Sequence, residues 1–372
     1  MKSFVNENTE LIYELIKDIC MIPAPSHYEE KRAQYCKSRL EEWGAEGVYI
    51  DETLNVIYPL NCADSDNITV FAAHTDTVFP DTEPMPYEDD GEYIYSPGVG
   101  DNVAGVAVLL VLAKYYTEKG ITPRDGIMFV FNSCEEGLGN LKGVRQLFED
   151  YDRRIGQFIS FDSKLNVVHD YCVGSHRYLV EALTAGGHSY NDFGTPNAIE
   201  AIASVVNDIY KISVPQKEGT KTTYNVGTIS GGTSVNTIAQ SASMLCEYRS
   251  DDKDSLAFME EQFKNIFDTD RGQGIDIKVT PVGSRPCSDV APGRIEALKA
   301  VVGPAIESVI GEKVKYTSAS TDCNIPMSLG VPSLCVGVSM YEGMHTREEK
   351  MLKKSVVEGL QIAIAVSVAI TG

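Results

Sequence analysis

Positive charge is scarce in this sequence. Its 372 residues hold 32 Lys and Arg against 53 Asp and Glu, a formal net charge of −21. Nucleic acids and anionic membrane surfaces are held by basic faces, so neither is an expected partner. Nine cysteines are present, an odd number, and none stands in a C-x-x-C pair. A disulfide framework is therefore not expected, and a reducing cytoplasm is the expected setting. The opening stretch, MKSFVNENTELIYELI, has no apolar core of the kind a secretory leader carries. Apolar runs such as Ala104 to Ala113 fall short of the ~20 residues that span a bilayer. Histidine is rare as well, with six residues, so each can be weighed individually.

The sequence has ample apolar material, 43% of the chain. At this length it suits two domains better than one core. Residues 9–20 place Leu11, Ile12, Leu15, Ile16 and Ile19 on one helical stripe. Ser26 and Glu29 form a capping-box pattern that predicts a helix running to about Gly44. NITVFAAH, GIMFVFN and GQFISFD read as buried strands, alternating with helices at about 102–120 and after Gly137. That rhythm predicts an α/β domain: a mostly parallel, mixed sheet with helices on both faces. After about residue 175 the order becomes β-α-β-β-α-β, the ferredoxin-like pattern. From about Arg285 the α/β rhythm returns, with a helix near 294–310, the strand VPSLCVGV and a last helix from about 347. The expected organisation is one larger domain, 1–175 with 285–372, carrying an inserted α+β domain, 176–284.

Chemistry-bearing residues gather at predicted strand ends. His74 and Asp76 follow NITVFAAH, Glu135 and Glu136 follow GIMFVFN, and Asp162 ends GQFISFD. In open α/β sheets ligands bind at such ends. Asp101 lies in SPGVGDNVAG, where taken singly it reads as a helix N-cap. At a strand end Asp76 can turn back to hydrogen-bond His74 and fix which imidazole nitrogen faces a metal; the alternative is a His and an Asp solvated at a loop. With His345, just past another strand, these residues give two imidazoles and several carboxylates around one point. So much negative charge calls for cations, and the mixed donor set suits zinc, with cobalt or manganese as alternatives.

The ordered segments HTD, GVGDNVAG, CEEG, FD, GGHS, NTI and GMHTREE resemble the co-catalytic dizinc exopeptidases and amidohydrolases. That family includes peptidase T, carboxypeptidase G, succinyl-diaminopimelate desuccinylase and aminoacylases. The resemblance runs from about residue 70 to 350. It implies a zinc-exopeptidase-like catalytic domain with a lid, here the inserted domain, through which some members form homodimers. It further implies two divalent metal ions: His74 and Asp162 on one, His345 and Glu136 on the other, and Asp101 bridging, followed by a cis peptide to Asn102. Glu135 is then the general base, Asp76 orients His74, and His188 polarises the scissile carbonyl. Asn236, Arg249 and Arg285 match substrate-binding positions. His27, His169 and His176 match nothing and are expected to be structural or surface residues, and the cysteines to be structural.

The expected function is a metal-dependent exopeptidase for short peptides. Within the resemblance, Asp rather than Glu at position 162 leans towards aminopeptidases and tripeptidases. FDSK lacks the Gly-rich run of true tripeptidases, and the lid segment shows no basic cluster for a large acidic side chain. The alternatives are an amidohydrolase acting on N-acyl or N-carbamoyl amino acids and a non-catalytic metal-binding protein of the same fold.

Overall fold

The computed structural model describes residues 2–151 and 153–372. The chain divides into two compact units, Met1–Cys172 with Ser288–Gly372, and Val173–Cys287.

The first unit is built on eight strands: β1 (Tyr49–Ile50), β2 (Val56–Leu60), β3 (Ile68–His74), β4 (Ile127–Asn132), β5 (Ile155–Phe161), β6 (Val167–Cys172), β7 (Lys315–Ala319) and β8 (Ser333–Val336). They pair in the order β1-β2-β4-β3-β5-β8-β6-β7. The central neighbours β4, β3, β5 and β8 run parallel, as do β6 and β7, while β1/β2, β2/β4 and β8/β6 are antiparallel. The central strands are buried on both faces. Alternate residues therefore serve two cores: Phe71, Phe129 and Phe161 enter one apolar cluster, Val70, Met128 and Phe158 the other. Helices Ala104–Glu118, Pro292–Ile310 and Ser355–Thr371 fill the first cluster. The stretch Val99–Glu118 is long and apolar enough in composition to cross a membrane, but 89% of its apolar window is buried inside the protein, as in a core helix.

Ser26 does not cap a helix. The helix spans Glu30–Glu42 without a side-chain cap, and Ser26 Oγ donates instead to Asp76 Oδ2 at 2.7 Å. A buried, charged acceptor outcompetes a backbone N–H that solvent can serve. The last helix begins at Ser355, not near 347. The intervening Lys350–Leu352 is a strand, paired with Tyr93–Tyr95 and with Tyr341–Glu342 in a small separate sheet. Charge-rich sequence there resembles a helix surface, yet long-range pairing decides.

The second unit pairs four long strands antiparallel in the order Thr222–Gly231, Ser241–Ser250, Gly174–Leu183, Asp276–Arg285. Helices Ala198–Ile209 and Lys253–Phe267 complete its β-α-β-β-α-β order and pack against the sheet through Ile202, Val205, Met259 and Phe263. Both are side-chain capped, by Asn197 and Asp252.

Candidate metal centre

Three adjacent parallel strands, β4, β3 and β5, end side by side. Parallel pairing brings their C-terminal ends to one edge, so side chains far apart in sequence meet there. His74 is the last residue of β3 and fully buried. Glu135 and Glu136 follow β4, and Asp162 follows β5. Asp101 arrives from the irregular turn Val99–Val103, and the Asp101–Asn102 peptide is cis. Asp101 is not a helix N-cap, because its side chain faces two imidazoles instead. His345 comes from the loop between Tyr341–Glu342 and Lys350–Leu352 and keeps 47% of its side chain exposed.

The distances define a two-centre cluster. Asp101 Oδ1 lies 3.1 Å from His74 Nε2, and Asp101 Oδ2 lies 3.1 Å from His345 Nε2. Asp162 Oδ2 is 3.7 Å from His74 Nε2, and Glu136 Oε1 is 3.3 Å from His345 Nε2. Ligand atoms bound at 2.0–2.2 Å around a tetrahedral zinc sit ~3.4 Å apart, so each half has ion-sized spacing. One carboxylate thus presents one oxygen to each half. Sets of ligand geometry are His74–Asp101–Asp162, Asp101–Glu136–His345 and His74–Glu135–Glu136.

The electrostatics also call for cations. Burial opposes a charge on His74, yet hydrogen bonds to Asp101 and Asp76 hold its pKa well above the ordinary imidazole value. Hydrogen bonds to Asp101 and Glu136 lift His345 to about 10. Burial, then the Asp101 charge, pushes Asp162 up to about 8 and raises Glu136. Asp101, although buried, is held below the usual carboxylate range by the two imidazoles. In the absence of metal, protons take the place of positive ions.

Asp76 organises this edge. Its Oδ1 accepts the Glu135 N–H and its Oδ2 the Glu136 N–H, both at 2.9 Å, while His74 Nδ1 lies 3.4 Å from Oδ1 and 3.2 Å from the Asp76 carbonyl. The Nδ1 contacts leave Nε2 to face Asp101 and Asp162.

Several supporting residues are not among the sequence candidates. Glu349, nearly fully buried, accepts from the N–H groups of Gly98 (2.8 Å), Gly100 (2.8 Å) and Asp101 (3.0 Å), so it holds the turn that presents Asp101. Burial, then the Asp101 charge, raises its carboxyl to about 7. Its place four residues after His345, inside GMHTREE, is the only sequence signal. Arg32, fully buried, donates to the Ile22 and Thr75 carbonyls at 2.7 Å each and puts a cation behind Asp76. Asp322 accepts from Asn132 Nδ2 at 2.8 Å beneath the edge and adds to the field that raises Asp162.

The other candidates lie in the second unit. His188 and Asn236 are neighbours on paired segments: His188 pairs with Thr237, and Ser189 N–H donates to the Asn236 carbonyl at 3.0 Å. Both side chains are exposed. Arg249 and Arg285 share one register row, each opposite Ser175, and Arg177 stands two residues along the same strand opposite Glu247. Cross-strand partners share a face. The second unit therefore holds a basic cluster that no single stretch of the sequence displays. It is assembled from three strands. Glu247 partly neutralises it, accepting from Arg249 at 2.8 and 3.0 Å and from Arg177 at 3.3 Å. Of the histidines expected to be structural, His169 bridges Ser163 and Thr317, and His176 stacks on Tyr248.

Comparison with known proteins matches residues 70–368 to the model of "Peptidase family M20/M25/M40". The protein named "Putative succinyl-diaminopimelate desuccinylase DapE" of Mycobacterium tuberculosis is 23% identical over 348 residues, covering 91% of this chain and 92% of that one. The structure of aminopeptidase PepT from Bacillus cereus superposes with a TM-score of 0.75 at 21% identity, over 98% of this chain and 99% of the other. A tripeptidase structure from Staphylococcus aureus gives 0.76 at 21% identity, over 97% and 98%.

Proposed function

Because this chain belongs to Peptidase family M20/M25/M40, we propose that it is a dimetal exopeptidase acting on short peptides, with an aminopeptidase or tripeptidase preference. The observation that carries this is the Asp101 carboxylate, with one oxygen 3.1 Å from His74 and the other 3.1 Å from His345. His74 and Asp162 would hold one ion, His345 and Glu136 the other, and Asp101 both. Zinc suits the donors, with cobalt or manganese as substitutes. Two ions bound there supply Lewis acidity and lower the pKa of an attacking water towards ~7.

This chain's residues do the rest. Glu135 shares the edge but is not needed as a ligand, so it takes the water's proton and passes it to the leaving amine. Asp76 holds His74 in one tautomer and fixes the backbone of both glutamates. Glu349 and Arg32 keep the Asp101 turn and Asp76 in place. His188 is assigned to polarise the scissile carbonyl, and Asn236, Arg249 and Arg285 to bind the substrate. A homodimer formed through the inserted unit and a cytoplasmic location complete the proposal. The nine cysteines, all buried, suit a reducing compartment.

A second reading is an amidohydrolase releasing an acyl group from an N-substituted amino acid. The row of Arg249, Arg285 and Arg177 favours it, since guanidinium groups bind carboxylates in bidentate fashion. So does the similarity to the Mycobacterium tuberculosis protein, whose name specifies a succinylated dicarboxylic substrate. Assaying metal-reloaded protein against free di- and tripeptides and against N-acetyl and N-succinyl amino acids decides between them. Release of N-terminal residues from free peptides is expected. Cleavage of the acylated compounds alone would establish the second reading, and turnover of neither with two ions bound would refute both.

A further inference from the structure

The two imidazoles of the cluster are held to different degrees. His74 ends a central strand and is fully buried, whereas His345 sits in the loop that joins Tyr341–Glu342 to Lys350–Leu352 and keeps 47% of its side chain exposed. Gly343 and His345 both have left-handed backbones, φ 74° and 63°. A residue with a Cβ seldom adopts that conformation unless its surroundings hold it there. Thr346 closes a turn inside the loop, donating its N–H (3.0 Å) and its hydroxyl (2.6 Å) to the Gly343 carbonyl. A half-exposed ligand on a loop gives up conformational freedom when it binds, unless the loop is ordered beforehand.

Arg347 supplies a tie from this loop to another part of the chain. Two residues past His345, its Nη1 donates to Asp81 Oδ1 at 3.0 Å and its Nη2 to Asp81 Oδ2 at 2.6 Å. Its Cζ lies 4.8 Å from the centre of the buried Phe79 ring. Asp81 and Phe79 belong to the segment that leaves β3 just after His74 and Asp76. That segment is itself anchored. The Thr77 N–H donates to the Ala24 carbonyl at 2.9 Å, and Thr77 Cγ2 would lie 2.9 Å from a Cβ on Gly98, beside the Asp101 turn. The loop carrying one imidazole is thus fastened to the segment that follows the other. An exposed ion pair by itself contributes little. A two-pronged pair whose cation rests on an aromatic face has a fixed geometry as well as a charge. Both Asp81 oxygens are engaged, so Arg347 already has its carboxylate within the protein.

We propose that Arg347, clamped by Asp81 and Phe79, is a positioning residue. It holds the His345 loop in its ligating conformation and so sets the affinity of the ion that His345 would share with Glu136 and Asp101. It acts through His345 and touches neither ion nor substrate. The proposal rests on the dimetal reading above.

Full-length protein stripped with chelator is titrated with Zn²⁺ in competition with a chromophoric chelator. Wild type is expected to show two binding steps, and His345→Ala identifies the step that depends on His345. Arg347→Ala should weaken that step about tenfold and leave the other unmoved. Asp81→Ala should do the same. The double variant should be no weaker than either single one, because the same interaction is lost in all three. Arg347→Lys keeps the charge without the planar fork and should resemble Arg347→Ala. With both positions filled at saturating Zn²⁺, KM should keep its wild-type value. An unmoved His345-dependent step in Arg347→Ala, an equal loss in both steps, additive losses in the double variant, or a raised KM at full metal occupancy overturns the proposal and leaves the dimetal reading standing. Wild-type protein with no His345-dependent step refutes that reading, and the clamp falls with it.

Discussion

Glu135 and Glu136 are adjacent carboxylates with different surroundings. Glu136 reaches His345 at 3.3 Å and belongs to the second half of the cluster, whereas Glu135 is grouped with His74 and Glu136. Both backbones are pinned by Asp76, which fixes where the side chains start. Glu135→Gln is expected to keep both ions and lose about 10²–10⁴-fold in kcat, the range for a missing general base. Glu136→Gln is expected to lose one ion instead. Metal stoichiometry measured beside turnover separates the two, and near-full hydrolysis by a metal-replete Glu135→Gln protein would remove Glu135 from its role. Glu349→Ala frees the N–H groups of Gly98, Gly100 and Asp101 together, so metal affinity should fall about 10–100-fold, as for other residues that orient ligands. Competition with a fluorescent chelator measures it. At this scale legibility in the sequence was uneven. Residues in short ordered motifs, such as His74, Asp101 and His345, could be picked out. Glu349, Arg32 and Asp322 could not, because each acts through a partner 43 to 251 positions away. Ser26 was legible but assigned the wrong partner, since a cap pattern says nothing of a buried Asp76 fifty residues on.

Elements were readable where burial was complete. Strands β3 and β4 are apolar at most positions and buried at every one, so their sequences alone mark them. The edge strands are different. β1 has two residues and β7 is mostly exposed, and neither carries a period that its sequence could reveal. The same reason hides Lys350–Leu352, whose pairing with Tyr93–Tyr95 spans more than 250 positions. The basic row of the second unit is an element-scale property too, because only strand register brings Arg249 and Arg285 to either side of Ser175. Close approach between elements also leaves a mark. Within helix Ser355–Thr371, a Cβ on Gly359 would lie 1.8 Å from the Val338 carbonyl oxygen, a backbone atom that cannot rotate away. Gly359→Ala should therefore destabilise by about 1–3 kcal/mol, the usual cost of overpacking, despite alanine's better helix propensity. A lowered urea midpoint with an unchanged slope checks this, and an equal or higher midpoint would show that the helix shifts freely.

For the whole molecule, a net charge of −21 and a buried group of carboxylates make stability depend on cations. An ion that binds only the folded chain adds RT ln(1 + [L]/Kd), about 2.7 kcal/mol at a hundredfold excess over Kd. Chelation should therefore lower the melting temperature, and the loss should grow with pH. His345, raised to about 10, stabilises the metal-free fold fully below the ordinary imidazole value of 6.5 and loses that contribution as pH rises towards 10. Asp162, raised from 3.8 to about 8, binds more protons folded than unfolded between those values. It too makes the metal-free fold less stable as pH rises through that window. Bound ions replace those protons, so metal uptake near pH 7 should release protons, and apparent affinity should rise by about tenfold per pH unit for each proton displaced. Calorimetric titrations in two buffers of different ionisation enthalpy count the protons, and melting curves with and without chelator from pH 6 to 9 follow the gap. Proton release near zero, or a gap that narrows as pH rises, would mean that the imidazole–carboxylate cluster is not where the ions bind.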